Sequence, residues 1–397
     1  MKTVSKQLYK LYKATFNKLK KRASTKQTTL YFDMSAIAEE NYGTGIARVV
    51  LSQLESLYTL DTKYEIIPVY LHIKNDEIAH YILDRNTLVA SLNDDKACPK
   101  KDDIIYSPDI EYKNVDYAVK NKLYARYKID GVKVAFLIHD LLPIQHSEFF
   151  LQGTDDEHKQ FIQNISSISD IIFTTTNTLN KQLQEYQIKN MLKTPTIYTL
   201  PLGADLRVKT NKTASKTATS LNFLIVSTIE PRKGHNQLLE AFEILWSQTP
   251  ISDQSPILTI VGKEGWMVKE TMSKIKTHPL LNKKLFYKGY LSNQELAECY
   301  KNADCVIFAS YAEGYGLPLI EAAHYNKPII TRDIPVFREV AGDYPIYFKD
   351  TKEPQEILEA IQTFIRSPQC KNKKLSSFNS ITWKENATKL VKILESI

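Results

Sequence analysis

Short apolar runs rich in β-branched and aromatic residues alternate along this chain with longer amphipathic stretches. In the first half the runs are Thr29–Asp33, Tyr64–Tyr70, Asp103–Tyr106, Val132–Ile138, Asp170–Phe173 and Thr196–Leu200. Their length and β-branched content predict buried strands. Helical periodicity falls between several of them, around Ile46–Leu57 and Asp116–Tyr127. The second half repeats the rhythm, with strands expected at Phe223–Ser227, Ile257–Val261, Leu285–Tyr287, Cys305–Ala309, Pro328–Thr331 and Ile346–Phe348. Helices are expected there at Gln237–Ser247, Asn293–Lys301, Leu319–Tyr325 and Pro354–Ile365. Strand and helix in alternation predict an α/β protein with one doubly wound parallel sheet per half, covered on both faces.

The polar stretch Arg207–Ser220 lacks large apolar side chains apart from Val208, so residues 206–220 read as a linker between two domains. Their expected extents are 29–205 and 221–380, with a closing helix over 381–397. A length of 397 residues agrees with two domains rather than one.

Charge changes this picture at one place. The formal net charge is +7, yet Lys2, Lys6, Lys10, Lys13, Lys18, Lys20, Lys21, Arg22 and Lys26 sit in the first 26 residues with no acid among them. The remaining 43 bases face 45 acids, so the body is near neutral and does not suit a nucleic-acid binder. Within that arm Val4, Leu8, Tyr12, Phe16 and Leu19 recur at helical spacing. A basic amphipathic helix over residues 1–28 points to an anionic membrane surface, or to packing on the protein's own body. No apolar run is long enough to span a bilayer, and the arm lacks a signal-peptide core. The four cysteines show no C-x-x-C spacing, which suits a reducing, cytoplasmic compartment and no zinc site.

The chemistry gathers at expected strand ends. Glu313-Gly-Tyr-Gly-Leu-Pro-Leu-Ile-Glu321 follows a buried strand and opens a helix, with Pro318 in the first turn. Amides at Gly314, Gly316 and Leu317 would then face an anion at the helix N-terminus. Glu313 and Glu321 flank that position, a pairing suited to the hydroxyls of a sugar and a ribose. Ser227-Thr-Ile-Glu-Pro-Arg-Lys-Gly234 follows the first strand of the second half. There Arg232 offers a hydrogen-bonding fork and Lys233 a mobile charge to a diphosphate. In the first half Gly43 and Gly45 would allow close backbone approach to phosphate. The dinucleotide fingerprint is absent, because Arg48 stands where its third glycine belongs. His139, at the end of the fourth strand, can exchange a hydrogen bond with a sugar hydroxyl. Tyr290 is placed either to line a nucleotide base or to pack. No metal spacing and no D-x-D occur, so no metal cofactor is expected.

Taken in order, these segments resemble the retaining glycosyltransferases of family four (glycosyl transferases group 1). The resemblance rests on the E-x7-E pair Glu313/Glu321, Glu230-Pro-Arg-Lys-Gly234, Gly43-Thr-Gly-Ile46, His139-Asp-Leu-Leu-Pro143, Leu202-Gly-Ala-Asp205 and Trp383, over roughly residues 29–397. The phrases around His139, Gly45 and Arg232 are most similar to mannosyl- and rhamnosyltransferases of bacterial surface polysaccharides. The resemblance implies a GT-B fold, two Rossmann-like domains facing across a cleft, with the last helix crossing back to the first domain. It implies that Glu321 holds the ribose and Glu313 lies beside the donor sugar. Arg232 and Lys233 would bind the diphosphate with amides near Gly316 and Gly45, and His139 would contact the sugar. The implied reaction moves a hexose, mannose first, from a GDP- or UDP-linked donor to a hydroxyl of a glycan or lipid-linked acceptor. The enzyme would work without metal, in the cytoplasm or peripherally on the inner membrane face. Two rivals stay open: a phosphorylase or epimerase on the same fold, and a non-catalytic sugar-nucleotide binder.

Overall fold

The computed structural model describes residues 28–39, 45–84, 87–91, 94–203, 220–248, 250–367 and 381–396. The basic arm, Gly43, most of the expected linker, and Ala204 and Asp205 lie outside the described residues. The chain forms two compact units. Unit 1 takes the chain up to Ile144, Gly153–Gly203 and the residues from Ile381 onward, and unit 2 takes Gln145–Gln152 and Ala204–Ser380. The short stretch Gln145–Gln152 is therefore grouped with unit 2, although its sequence neighbours on both sides belong to unit 1.

Unit 1 is built on β1 (Thr28–Asp33), β2 (Tyr64–Lys74), β3 (Glu77–Ile82), β4 (Ile104–Ser107), β5 (Lys133–Ile138), β6 (Ile171–Thr174) and β7 (Thr196–Thr199). Their order in the sheet is β3-β2-β1-β4-β5-β6-β7. Strands β4 and β6 are buried along their whole length, as expected for parallel strands covered on both faces. Two features differ from the reading of the sequence. β3 is an additional strand and runs antiparallel to β2, so the sheet is not purely parallel. Asn75 and Asp76 take positive φ of 52° and 61°, which makes the two-residue turn of a hairpin. The helix expected around Asp116–Tyr127 is two helices, Tyr112–Lys120 and Leu123–Ile129. The chain breaks between them at Lys122, in the left-handed region with φ 58°.

Helix Trp383–Leu394 packs on helix Gly45–Thr59 within unit 1. A capping box of Thr382 and Glu385 starts it. A buried polar chain runs through the contact. The Tyr106 hydroxyl donates to Gln53 Oε1 at 3.1 Å, and Gln53 Nε2 donates to Asn386 Oδ1 at 3.0 Å. Asn386 Nδ2 then donates to the carbonyl of Pro201 at 2.7 Å. Each donor and acceptor satisfies the next, which is what allows amides to be buried here.

Unit 2 is built on β8 (Asn222–Val226), β9 (Ile257–Val261), β10 (Leu285–Tyr287), β11 (Cys305–Phe308), β12 (Ile329–Arg332) and β13 (Ile346–Phe348). The order is β10-β9-β8-β11-β12-β13, with every pair parallel. Its core joins Phe223, Leu258 and Ile307 from the sheet to Phe242 and Trp246 of helix His235–Ser247 and Phe364 of helix Pro354–Arg366. The strand order reverses between β8 and β11. Open α/β sheets bind ligands at the carboxyl ends of strands beside such a reversal. The corresponding point in unit 1 lies between β1 and β4. No helix among the described residues is long and apolar enough to cross a membrane.

Candidate functional site

The two loops that leave β8 and β11 carry the basic pair and Glu313. After β8 the chain makes a 3-10 turn over Pro231–Lys233, then Gly234 in the left-handed region at φ 69°. After β11 it runs through Ala309–Tyr315 to Gly316, at φ 93°, and into helix Leu317–His324. The loops are tied directly, since Tyr311 N donates to the Arg232 carbonyl at 2.8 Å. A Cβ at Gly234 would lie 2.3 Å from the Ala309 carbonyl oxygen. Gly234→Ala is therefore expected to force the two loops apart. Its penalty should reach about 1–3 kcal/mol from overpacking, with left-handed strain added. Urea unfolding of the variant against the parent checks this.

Side chains converge between the loops. Arg232 Nη1 reaches Glu313 Oε2 at 2.8 Å and the Ala312 carbonyl at 3.0 Å, and its Nε lies 2.7 Å from Glu230 Oε1. Lys233 Nζ sits 2.5 Å from Glu313 Oε1. Two cations and two carboxylates thus form a nearly buried quartet, the Glu313 side chain being 10% exposed and that of Glu230 2%. Burial alone would raise the Glu313 carboxyl. The charges of Lys233 and Arg232 overcome it, with help from the Ser310 hydroxyl, and hold the group at about 2. Burial pulls the Lys233 ammonium below its usual value, Arg232 adds to this and Glu313 opposes it. His235, the first residue of the next helix, is buried and held neutral: burial and the Lys233 charge lower it to about 3.

Glu321 lies one turn into helix Leu317–His324 and is buried, accepting from the Tyr300 hydroxyl at 2.9 Å. Tyr300 in turn stacks on Tyr325, ring centroids 5.2 Å apart and 10° from parallel. The first turn of this helix carries Pro318, and Gly316 serves as its N-cap without a side-chain bond. Its N-terminal amides give a compact anion-attracting surface beside the Arg232–Lys233–Glu313 group. Tyr290 lies in the loop after β10 and is 60% exposed.

In unit 1 the sequence-derived residues also sit at carboxyl ends of strands. His139 follows β5 and is buried. Its Nε2 lies 2.7 Å from the Pro108 carbonyl, which can only accept, so Nε2 carries the proton and Nδ1 a lone pair. Burial lowers its basicity, so the ring is neutral. Gly45 opens helix Gly45–Thr59, with open space where a Cβ would be. The sequence reading missed Asp33 and Asp109, which end β1 and follow β4 on either side of the unit 1 reversal. Asp109 accepts from the amides of Ile37 and Ile110 at 3.1 and 2.9 Å. Burial, reinforced by Asp33, pushes it up to about 7. Both aspartates hold the turn that leads into helix Ser35–Glu39. An aspartate that ends an apolar strand and is followed two residues later by serine is the available signal for the first.

Among the described residues no group of His, Cys, Asp and Glu could hold a metal ion. Residues 209–380 match the family described as glycosyl transferases group 1. Over 385 residues the chain is 32% identical to the serotype-specific mannosyltransferase WbdA of Escherichia coli, covering 93% of this chain and 46% of that protein. It thus spans about half the length of that relative. An O-antigen chain mannosyltransferase, RfbU of Salmonella typhimurium, is 24% identical over 229 residues, 57% of this chain and 60% of the other. In fold the chain is similar to the Anabaena protein Alr3699/HepE, solved with UDP and glucose, at a TM-score of 0.64 and 14% identity. That match covers 93% of this chain and all of the other. Sucrose-phosphate synthase of Thermosynechococcus elongatus gives 0.65 at 14% identity, covering 93% and 99%. With this architecture of two sheets the chain has the GT-B fold, and its residues 209–380 are similar to the glycosyl transferases group 1.

Proposed function

We propose that this protein is a retaining glycosyltransferase that moves a hexose, mannose first, from a nucleoside diphosphate to a hydroxyl of a growing surface glycan. One observation carries the reading: a desolvated Arg232–Lys233–Glu313 group stands at the unit 2 sheet reversal beside a glycine-opened helix N-terminus. That is an anion site built before the anion arrives. The mannosyltransferase relatives supply the choice of sugar.

In this reading the diphosphate lies against Arg232, Lys233 and the amides of Gly314, Gly316 and Leu317. Glu321, held by Tyr300, accepts the ribose hydroxyls. Glu313 fixes the two cations in place, so that they need not reorganise as charge develops on the leaving oxygen. The bond from the anomeric carbon to that oxygen breaks, and the acceptor oxygen bonds to the carbon on the same face. The acceptor's proton passes to the departing phosphate, so no carboxylate base is needed. Glu313, ionised and doubly paired, is unsuited to that task. In unit 1, His139 keeps a lone pair at Nδ1 for a hydroxyl, and Gly45 leaves the start of its helix open.

The test is a thermal-shift screen with GDP-mannose, UDP-glucose and a dTDP-sugar, followed by a transfer assay with the stabilising donor and a mannan primer. A donor at about 100 times its Kd adds roughly 2.7 kcal/mol of stability. The expected result is stabilisation by GDP-mannose and a new α-mannoside, with rates unchanged by EDTA. Diphosphate release without a new glycoside would instead support a phosphorylase or epimerase. No shift with any donor would overturn the reading.

A further inference from the structure

Arg332 ends β12 and is the largest fully buried side chain described in the protein. A guanidinium cannot shed its charge, so burying one requires every N–H to be met. Here each nitrogen bonds to protein. Nε donates to the carbonyls of Ala309 and Ser310 at 3.3 and 3.2 Å. Nη2 donates to the Ala309 carbonyl at 3.0 Å and to Gln237 Oε1. Nη1 donates to the Thr351 carbonyl at 2.5 Å and to Asp350 Oδ1 at 3.2 Å. The plane of the guanidinium lies over the Tyr311 ring, 4.0 Å from its centroid, with Phe348 at 5.1 Å.

The direction of these bonds matters more than their number. Three of them end on Ala309 and Ser310, and the stacking falls on Tyr311. These are the residues that lead from β11 to Glu313. The same segment receives the other loop: Ala309 O faces Gly234, Tyr311 N bonds the Arg232 carbonyl, and Ser310 contributes to Glu313. Tyr311 is also stacked with Phe149, with rings 5.8 Å apart and 16° from parallel. A cation whose main anionic partner, Asp350, is half exposed is a poor source of stability by itself. Its geometry serves the placement of one loop.

We propose that Arg332 is a positioning residue for the donor site, gripping Ala309–Tyr311 so that Glu313 holds Arg232 and Lys233 in register for the diphosphate. It rests on the reading of unit 2 as the nucleotide-sugar site. Arg332 itself touches neither donor nor acceptor. The fork is essential, because a lysine ammonium cannot meet two carbonyls, an amide oxygen and a ring face together.

The experiment measures KM for donor and acceptor separately in Arg332→Lys, in Arg332→Ala with and without added guanidinium chloride at low millimolar concentration, and in Tyr311→Leu. The last changes a half-buried ring and keeps the arginine, so it stands if the arginine variants do not fold. Donor KM is expected to rise on the order of ten- to a hundred-fold in Arg332→Lys, as for a misplacement of about 1 Å, with acceptor KM unchanged. Tyr311→Leu should shift donor KM in the same direction, and guanidinium should restore part of the loss in Arg332→Ala. A purely structural role would lower the active fraction and leave both KM values alone. Donor KM within about two-fold of the parent in every folded variant would overturn the proposal. Arg232→Ala separates the failures: a raised donor KM there with none in the Arg332 and Tyr311 variants sinks this inference alone, and an unchanged one sinks the site.

Discussion

Replacing Arg232 and Lys233 together by alanine is expected to lower kcat/KM for the nucleotide-sugar donor by at least the ~10²–10³-fold typical of losing one preorganised charge-stabilising donor. The reasoning follows from where these side chains sit. Each is largely withdrawn from water, at 16% and 12% side-chain exposure, so each acts through a low effective dielectric. Each is also tied to Glu313, so its position does not depend on the ligand. Removing both leaves Glu313 and Glu230 without their nearest cations, and the double variant will lose stability as well as activity. The triple variant that adds Glu313→Gln separates the two effects: it should regain stability and stay inactive. Initial rates with GDP-mannose, paired with urea unfolding, check this. Turnover within about ten-fold of the parent in the double variant would show that the diphosphate is stabilised elsewhere.

Glu313→Gln alone is expected to be strongly destabilising. Glu313 serves two partly buried cations at once, and removing one member of a buried pair costs about 3–5 kcal/mol, because the uncompensated charge remains. Acid should have the same effect on the parent protein. The folded carboxyl is held at about 2, below its ordinary unfolded value. Its contribution is therefore complete above about pH 5 and is lost as pH falls toward 2. A depression of this size corresponds to roughly 3 kcal/mol at neutral pH, in line with the mutational figure. Urea unfolding at pH 7, 4 and 3 reads this directly. The parent should lose more stability across that window than Glu313→Gln does. Parallel losses in the two proteins would assign the acid sensitivity to other carboxylates.

Much of the fold and of the site is legible in the amino-acid sequence, for physical reasons that differ by element. Strands such as Ile104–Ser107 and Cys305–Phe308 are buried on both faces, so their apolar runs stand out against polar neighbours. The corner at Gly316-Leu-Pro318 announces itself because a left-handed glycine and an N-terminal proline have few other uses. Strand β3 escapes because Glu77-Ile-Ala-His-Tyr-Ile82 is only weakly apolar and its turn, Asn75-Asp76, lacks the glycine that usually marks a tight hairpin. The break at Lys122 escapes because nothing about a lysine advertises positive φ. Within the candidate site, the spacing of Glu313 and Glu321 puts one in the loop and the other in the helix, while the closure of Arg232 and Lys233 onto Glu313 depends on two loops 80 residues apart. Arg332 is invisible for a simpler reason: between a β-strand and an aspartate, a single arginine reads as the exposed end of a strand.

The return of helix Trp383–Leu394 to unit 1 bears on how the molecule is made. Asn386, which completes the polar chain from Tyr106 through Gln53 to Pro201, leaves the ribosome after all of unit 2. At about 5–20 residues per second that interval is roughly ten to a few tens of seconds. Throughout it the face of helix Gly45–Thr59 that will meet Asn386 is uncovered and Gln53 has no amide opposite it. Unit 2, apart from the short Gln145–Gln152 stretch contiguous from Ala204 to Ser380, has all its residues made before unit 1 does, so the later-begun unit can close before the earlier one.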